Sequence, residues 1–221
     1  DIDGTFDLYD MKIYHSNSGS SHKRVNVNGT ITVKHDFTGN GYSVGGWDLY
    51  INGGGTINVE GDITGNSKSL MGNIDMTVNS GARDQTITNL WYSTSGTFQV
   101  NNAGYTTYLS GNVRFGPVGS VTSGDTTFDV DTTLDATTNS AVVYFYGYGY
   151  ADVKSQGSYT LYDLHINRSG GTGHSYFDFN NDTVTVTNHL YVNGAASGGW
   201  KCYINNGTLD AQGDVTLQKD N

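Results

Sequence analysis

The side chains able to do chemistry are few in this sequence, and they do not converge. Six histidines, His15, His22, His35, His165, His174 and His189, are scattered along the chain. None has the helical or cysteine-flanked spacing that lets imidazole and thiolate close on zinc. They read as surface residues. Aspartates are better placed for a hard cation. Asp1-Ile2-Asp3-Gly4 opens the chain, and Asp125, Asp129, Asp131 and Asp135 lie close together. Asp129 and Asp131 would share one face of a strand. Oxygen ligands in glycine-rich turns suit Ca²⁺, so these two are the calcium candidates, weighed against plain solvated acidic turns. No EF-hand loop or glycine-rich nonapeptide is complete, and no other cofactor is indicated. Glycoside hydrolysis needs two carboxylates about 5–9.5 Å apart. Glu60 is the only glutamate. No nucleophile elbow, P-loop or dinucleotide fingerprint is present, so the chain is expected not to be an enzyme.

The aromatic residues carry a sharper signal. Tyr144, Tyr146, Tyr148 and Tyr150 alternate with Phe145, Gly147 and Gly149. In a strand all four rings share one face. That face is either a contact surface, for sugar rings or a neighbouring subunit, or an aromatic row of the core. Trp47 and Trp200 both follow Gly-Gly and read as packing anchors at a corner of the fold. Cys202 stands where Leu49 stands earlier, which reads as a small buried hydrophobe. Threonine pairs such as Thr30-Ile31-Thr32 suit a wet strand face better than a flat ice-binding one. Four Asn-x-Ser/Thr triplets, at Asn28, Asn167, Asn181 and Asn206, are what an Asn- and Thr-rich chain contains by chance.

These side chains hang on a repeat. Leu8-Tyr9-Asp10-Met11-Lys12-Ile13 returns as Leu161-Tyr162-Asp163-Leu164-His165-Ile166. Gly45-Gly46-Trp47-Asp48-Leu49-Tyr50-Ile51-Asn52 returns as Gly198-Gly199-Trp200-Lys201-Cys202-Tyr203-Ile204-Asn205. Gly55-Thr56-Ile57-Asn58-Val59-Glu60-Gly61-Asp62-Ile63-Thr64 returns as Gly207-Thr208-Leu209-Asp210-Ala211-Gln212-Gly213-Asp214-Val215-Thr216. The offset defines a module over 1–153 and a partial second module over 154–221, continuous with the first. The chain therefore reads as a window of a longer tandem array. Glu60 aligns with Gln212, and His35 with Asn188. The chemistry-bearing residues are not what the duplication preserves.

Within each module, short alternating runs recur roughly every ten residues. Thr30-Ile31-Thr32-Val33, Thr56-Ile57-Asn58-Val59, Thr97-Phe98-Gln99-Val100 and Thr127-Phe128-Asp129-Val130 are examples. Alternation buries one face and wets the other, and Gly, Asn, Asp and Ser supply the turns between runs. With 31 Gly, one Pro and only 14% charged residues among 221, the chain reads as all-β. Two architectures fit: a right-handed parallel β-helix (β-solenoid), or a string of antiparallel β-sandwich domains. Very short strands and near-absent proline favour the β-helix. A net charge of −10 repels the phosphate backbone, so nucleic acid is not an expected partner. No apolar stretch is long enough to span a membrane. The single cysteine excludes an internal disulfide.

Leu164-His165-Ile166-Asn167-Arg168-Ser169-Gly170-Gly171, followed by the Gly207–Thr216 phrase, resembles large secreted microbial repeat proteins. These are similar to filamentous-haemagglutinin-type adhesins and other β-solenoid surface proteins. The resemblance covers the whole chain and implies extracellular display and an elongated adhesive or scaffold role, with no catalytic residues. The expected function is a structural or adhesive segment that assembles into a filament by stacking of β-coils. A carbohydrate-binding module, a polysaccharide-acting β-helix and a phage fibre shaft are the alternatives.

Overall fold

The structure, a computed structural model, describes residues 1–14, 23–40, 49–66, 70–72, 74–116, 124–148, 152–168, 173–194 and 201–218. Among them every regular element is a strand. No helix is long and apolar enough to cross a membrane. The chain winds through three faces per turn, and each turn lies on the one before. The first face is a nine-stranded sheet: Thr5–Leu8, Thr30–Val33, Thr56–Val59, Asp75–Asn79, Thr97–Asn101, Thr126–Val130, Val153–Gln156, Ser175–Asp178 and Cys202–Asn205. The second runs through Met11–Tyr14, Phe37–Asn40, Ile63–Gly65, Gln85–Thr88, Thr107–Ser110 and Leu134–Asp135. The third runs through Lys23–Asn26, Leu49–Asn52, Leu70–Gly72, Trp91–Thr94, Asn112–Phe115 and Val142–Gly147. The long strands Tyr159–Arg168 and Thr183–Asn193 then cross the corner and serve both faces, which end in Thr208–Ala211 and Asp214–Gln218. Every strand pairing among the described residues is parallel. The fold is thus a parallel β-solenoid. The antiparallel sandwich is set aside, because each strand pairs with the strand one turn away and not with its neighbour in sequence.

Alternation in the sequence becomes columns in the structure. On the first face Phe6, Ile31, Ile57, Met76, Phe98 and Phe128 stack in register, pointing inward. Beside them run Leu8, Val33, Val59, Val78, Val100 and Val130. The mid-stack interior is aromatic. Phe98 lies 5.3 Å from Phe115, Phe115 4.2 Å from Phe128, and Phe128 6.2 Å from Phe145 (ring centroids). The Tyr92 hydroxyl, buried in this stack, donates to the Thr97 carbonyl at 3.0 Å and also reaches the Ile74 carbonyl.

Corners need a separate device, because backbone N–H groups there leave the strand ladder and must find other acceptors. Aspartates fill the gap. On entry to the second face, Asp10 Oδ1 accepts from the Asp36 N–H, Asp36 Oδ1 from the Asp62 N–H, and Asp62 Oδ1 from the Thr86 N–H (3.2, 3.1 and 2.7 Å). Each carboxylate thus ties one turn to the next. On entry to the first face Asp125 accepts from the Asp152 N–H and Asp152 from the Tyr176 N–H (3.1 and 2.8 Å). The glycine of the Gly-Asp phrase has its own reason: a Cβ on Gly61 would sit 1.6 Å from the His35 carbonyl oxygen.

The sequence repeat and the structural turn are different units. Leu8 lies in the first strand of the first face, and its counterpart Leu161 in the seventh strand of the second face. Met11 on the second face corresponds to Leu164 on the third. Leu49 on the third corresponds to Cys202 on the first. Thr56 and Ile63, on the first and second, correspond to Thr208 and Val215 on the second and third. One repeat therefore advances six turns and one face. Residues 153 and 154 lie together inside strand Val153–Gln156, so the stack runs unbroken across the module boundary.

Candidate binding surface

The third face carries a ladder of rings on its outer side. Trp91, Arg114, Tyr144, His165 and Tyr191 stand one per turn and in register. The Arg114 guanidinium lies over two rings, its Cζ 5.5 Å from the Trp91 centroid and 4.8 Å from that of Tyr144. Tyr144 is 4.7 Å from His165, and His165 is 5.2 Å from Tyr191. Tyr146 widens the ladder, parallel to Tyr144 at 5.9 Å and 5.6 Å from Trp91. All of these side chains are half-buried. Guanidinium–aromatic stacking of this kind holds planar groups at fixed height. Burial pushes the Tyr146 hydroxyl above its usual range, and neighbouring Arg114 pulls it partly back. Burial likewise lowers His165 from its usual range, against the pull of Asp163 and with a smaller push from His189.

Of the expected tyrosines, Tyr144, Tyr146 and Tyr148 are half-buried on the outer side, while Phe145 and Gly147 are buried inside. Tyr150, Trp47 and Trp200 lie outside the described residues. The strand period revealed the tyrosines. Their axial partners were missed because neighbours one turn apart are separated by turns of unequal length.

The calcium candidates are already engaged by the protein. Gln99, one turn below, donates Nε2 to Asp131 at 2.7 Å and to Asp129 at 3.4 Å. Burial, then the adjacent Asp131, raises the Asp129 pKa. Asp125 pairs with Lys154 at 2.7 Å. Asp135 is spent on its own turn. Burial works to raise its pKa, but hydrogen bonds from the Thr138 and Thr137 hydroxyls and N–H groups outweigh it and bring it to about 2. Sequence reasoning did not find the one mixed cluster among the described residues, in which ligand atoms of Asp10, His35 and Asp36 lie within 4.8 Å of one another. Its carboxylates also serve the corner ladder, and Asp36 holds Arg83 at 3.1 Å.

Asp152 is shifted in the opposite direction from Asp135. Burial drives it up to about 6, opposed by the Tyr176 N–H and reinforced by Asp125. Glu60, the lone glutamate, pairs with Lys34 at 2.8 Å. Cys202 is half-buried in the last turn, and burial pushes its thiol up to about 11, which leaves little thiolate at neutral pH. No family model, no curated protein and no solved structure matches the chain.

Proposed function

We propose that this chain is a structural or adhesive segment of an extracellular repeat protein, built to extend by stacking of β-coils into a fibre. One observation carries the reading: the inward columns pass in register from turn to turn with every described pairing parallel, so each coil offers the next the same apolar floor and the same backbone ladder. Open solenoid edges also present unpaired backbone groups, which another coil satisfies. Because all strands run parallel, the two extremes differ, so stacking is head-to-tail and does not close. Extracellular placement is drawn from the resemblance to secreted surface proteins.

Electron microscopy and sedimentation across a concentration series test this. Particles should lengthen with concentration in whole multiples of one chain. Leu217→Lys places a charge on the open end without touching the monomer's core, and it should leave single particles at every concentration. Wild-type chains that stay monomeric throughout would overturn the reading.

A further inference from the structure

We propose that the outer strip of the third face, from Trp91 to Tyr191, is a binding site for a neutral polysaccharide lying along the solenoid axis. Three observations carry this. First, coil stacking does not require these rings. The repeat aligns His165 with Lys12 and Tyr191 with Thr38, which sit in second-face strands of the same solenoid. Their inward neighbours stay apolar in both copies, Leu164 with Met11, Ile166 with Ile13 and Leu190 with Phe37. The duplication keeps the core residues and changes the outer ones, so the ladder belongs to this face and not to the architecture.

Second, the strip holds donors that lack acceptors. Trp91 Nε1 and Arg114 Nη1 are buried without a hydrogen-bond partner, while the Arg114 guanidinium also hydrogen-bonds the Tyr146 hydroxyl. No carboxylate pairs with Arg114 among the described residues, whose ion pairs use Lys34, His35, Arg83 and Lys154. A buried unpaired donor is costly, and an oxygen acceptor relieves it. Sugar hydroxyl and ring oxygens are such acceptors.

Third, charge selects the class of chain. A net charge of −10 disfavours nucleic acids and other polyanions, while an uncharged glycan is not repelled. Half-buried rings give flat contact area with a polar edge. From Tyr144 through His165 to Tyr191 they stand one per turn, about 4.8 Å apart, with the Arg114 guanidinium in place of a ring on the turn between Tyr144 and Trp91, so sugar units of one chain can lie along the strip from ring to ring. Asn167, in register with Tyr146, flanks the rings with an amide group suited to sugar hydroxyls.

The native chain would be titrated calorimetrically with neutral hexasaccharides (β-1,4-glucan, β-1,3-glucan, mannan and chitin) and, as a second arm, with hexagalacturonate. Saturable binding to a neutral oligomer, insensitive to salt, is expected. Arg114→Ala and Tyr144→Ala should each weaken it at least tenfold. Tyr191→Thr installs the residue its repeat counterpart carries, and it should weaken binding several-fold with an unchanged circular dichroism spectrum and melting temperature. Tyr176→Ala, on the first face, should leave affinity unchanged. Absence of binding to every neutral oligomer overturns the site. So does a preference for hexagalacturonate that fades with salt, or a Tyr191→Thr variant that binds as wild type. The readout is independent of fibre formation, so this inference and the stacking proposal fail separately.

Discussion

Phenylalanine occurs in one interior column both at its open extreme and in its middle, which provides a matched pair for testing the stacking. Phe6 and Phe98 point inward in the same first-face column, linked in register through Ile31, Ile57 and Met76. Phe98 is fully buried, whereas Phe6 is 44% exposed. Truncating Phe98 removes contacts with Tyr92 at 5.2 Å and Phe115 at 5.3 Å. The backbone ladder holds neighbouring turns at a fixed rise, so the hole cannot close. Phe98→Ala should therefore fall at the upper part of the usual range for such changes, about 4 kcal/mol. Phe6→Ala leaves no cavity and forfeits only about half of a burial worth about 1.5–3 kcal/mol, so it should cost about 1 kcal/mol. Urea unfolding followed by circular dichroism at low protein concentration measures both. The expected gap is about 3 kcal/mol. Equal costs would refute the parallel stack as drawn, because two residues in one column would then share one environment. If chains stack end to end, the cost of Phe6→Ala should also grow with protein concentration while that of Phe98→Ala should not.

Two further outcomes follow from the corners. Because the folded-state pKa of Asp152 is raised from 3.8 to about 6, the folded chain holds that proton more tightly than the unfolded one. The resulting penalty is absent below about pH 4 and develops as pH rises toward 6. Asp152→Asn keeps an oxygen for the Tyr176 N–H and removes the charge. It should stabilise the chain at pH 7 by about 1 kcal/mol, since water at this part-exposed corner screens most of the roughly 3 kcal/mol that a shift of that size represents. A gain in stability at pH 7 that persists undiminished at pH 3.5 would count against it. Gly61→Ala, whose Cβ would meet the His35 carbonyl oxygen at 1.6 Å, should cost about 3 kcal/mol. Gly104→Ala, with φ +83 and nothing within 4 Å, should cost about 1 kcal/mol of backbone strain. Thermal melts of the two variants that coincide would remove the close approach of turns as the reason for the first glycine.

Much of the architecture was legible from alternation. Thr30-Ile31-Thr32-Val33 and Thr97-Phe98-Gln99-Val100 bury the residues that a strand period puts inside. The side shared by Tyr144, Tyr146 and Tyr148 follows from the same rule. The corner role of Asp62 and the calcium candidates were harder to read, because their partners come from other turns. Gln99 reaches Asp129 and Asp131 from the turn below, and Thr86 donates its N–H to Asp62 from the turn above. Corner lengths hide such partners. Thr94 and Thr97 bound a third-to-first corner, and Phe115 and Thr126 bound the same corner one turn later.

By itself, then, the sequence determined local matters: strand periods, inward residues, turn-forming Gly-Asp phrases, and a repeat whose preserved positions are architectural. These depend on near neighbours, and a side-chain period of two is visible in any short run. Which residues meet along the axis emerged once the coils had stacked. Stacking brought Trp91, Arg114, Tyr144, His165 and Tyr191 into one strip, and it turned the 153-residue repeat by one face. Axial neighbours are set by hydrogen-bond register between turns of unequal length, and that register exists only once the chain has wound upon itself.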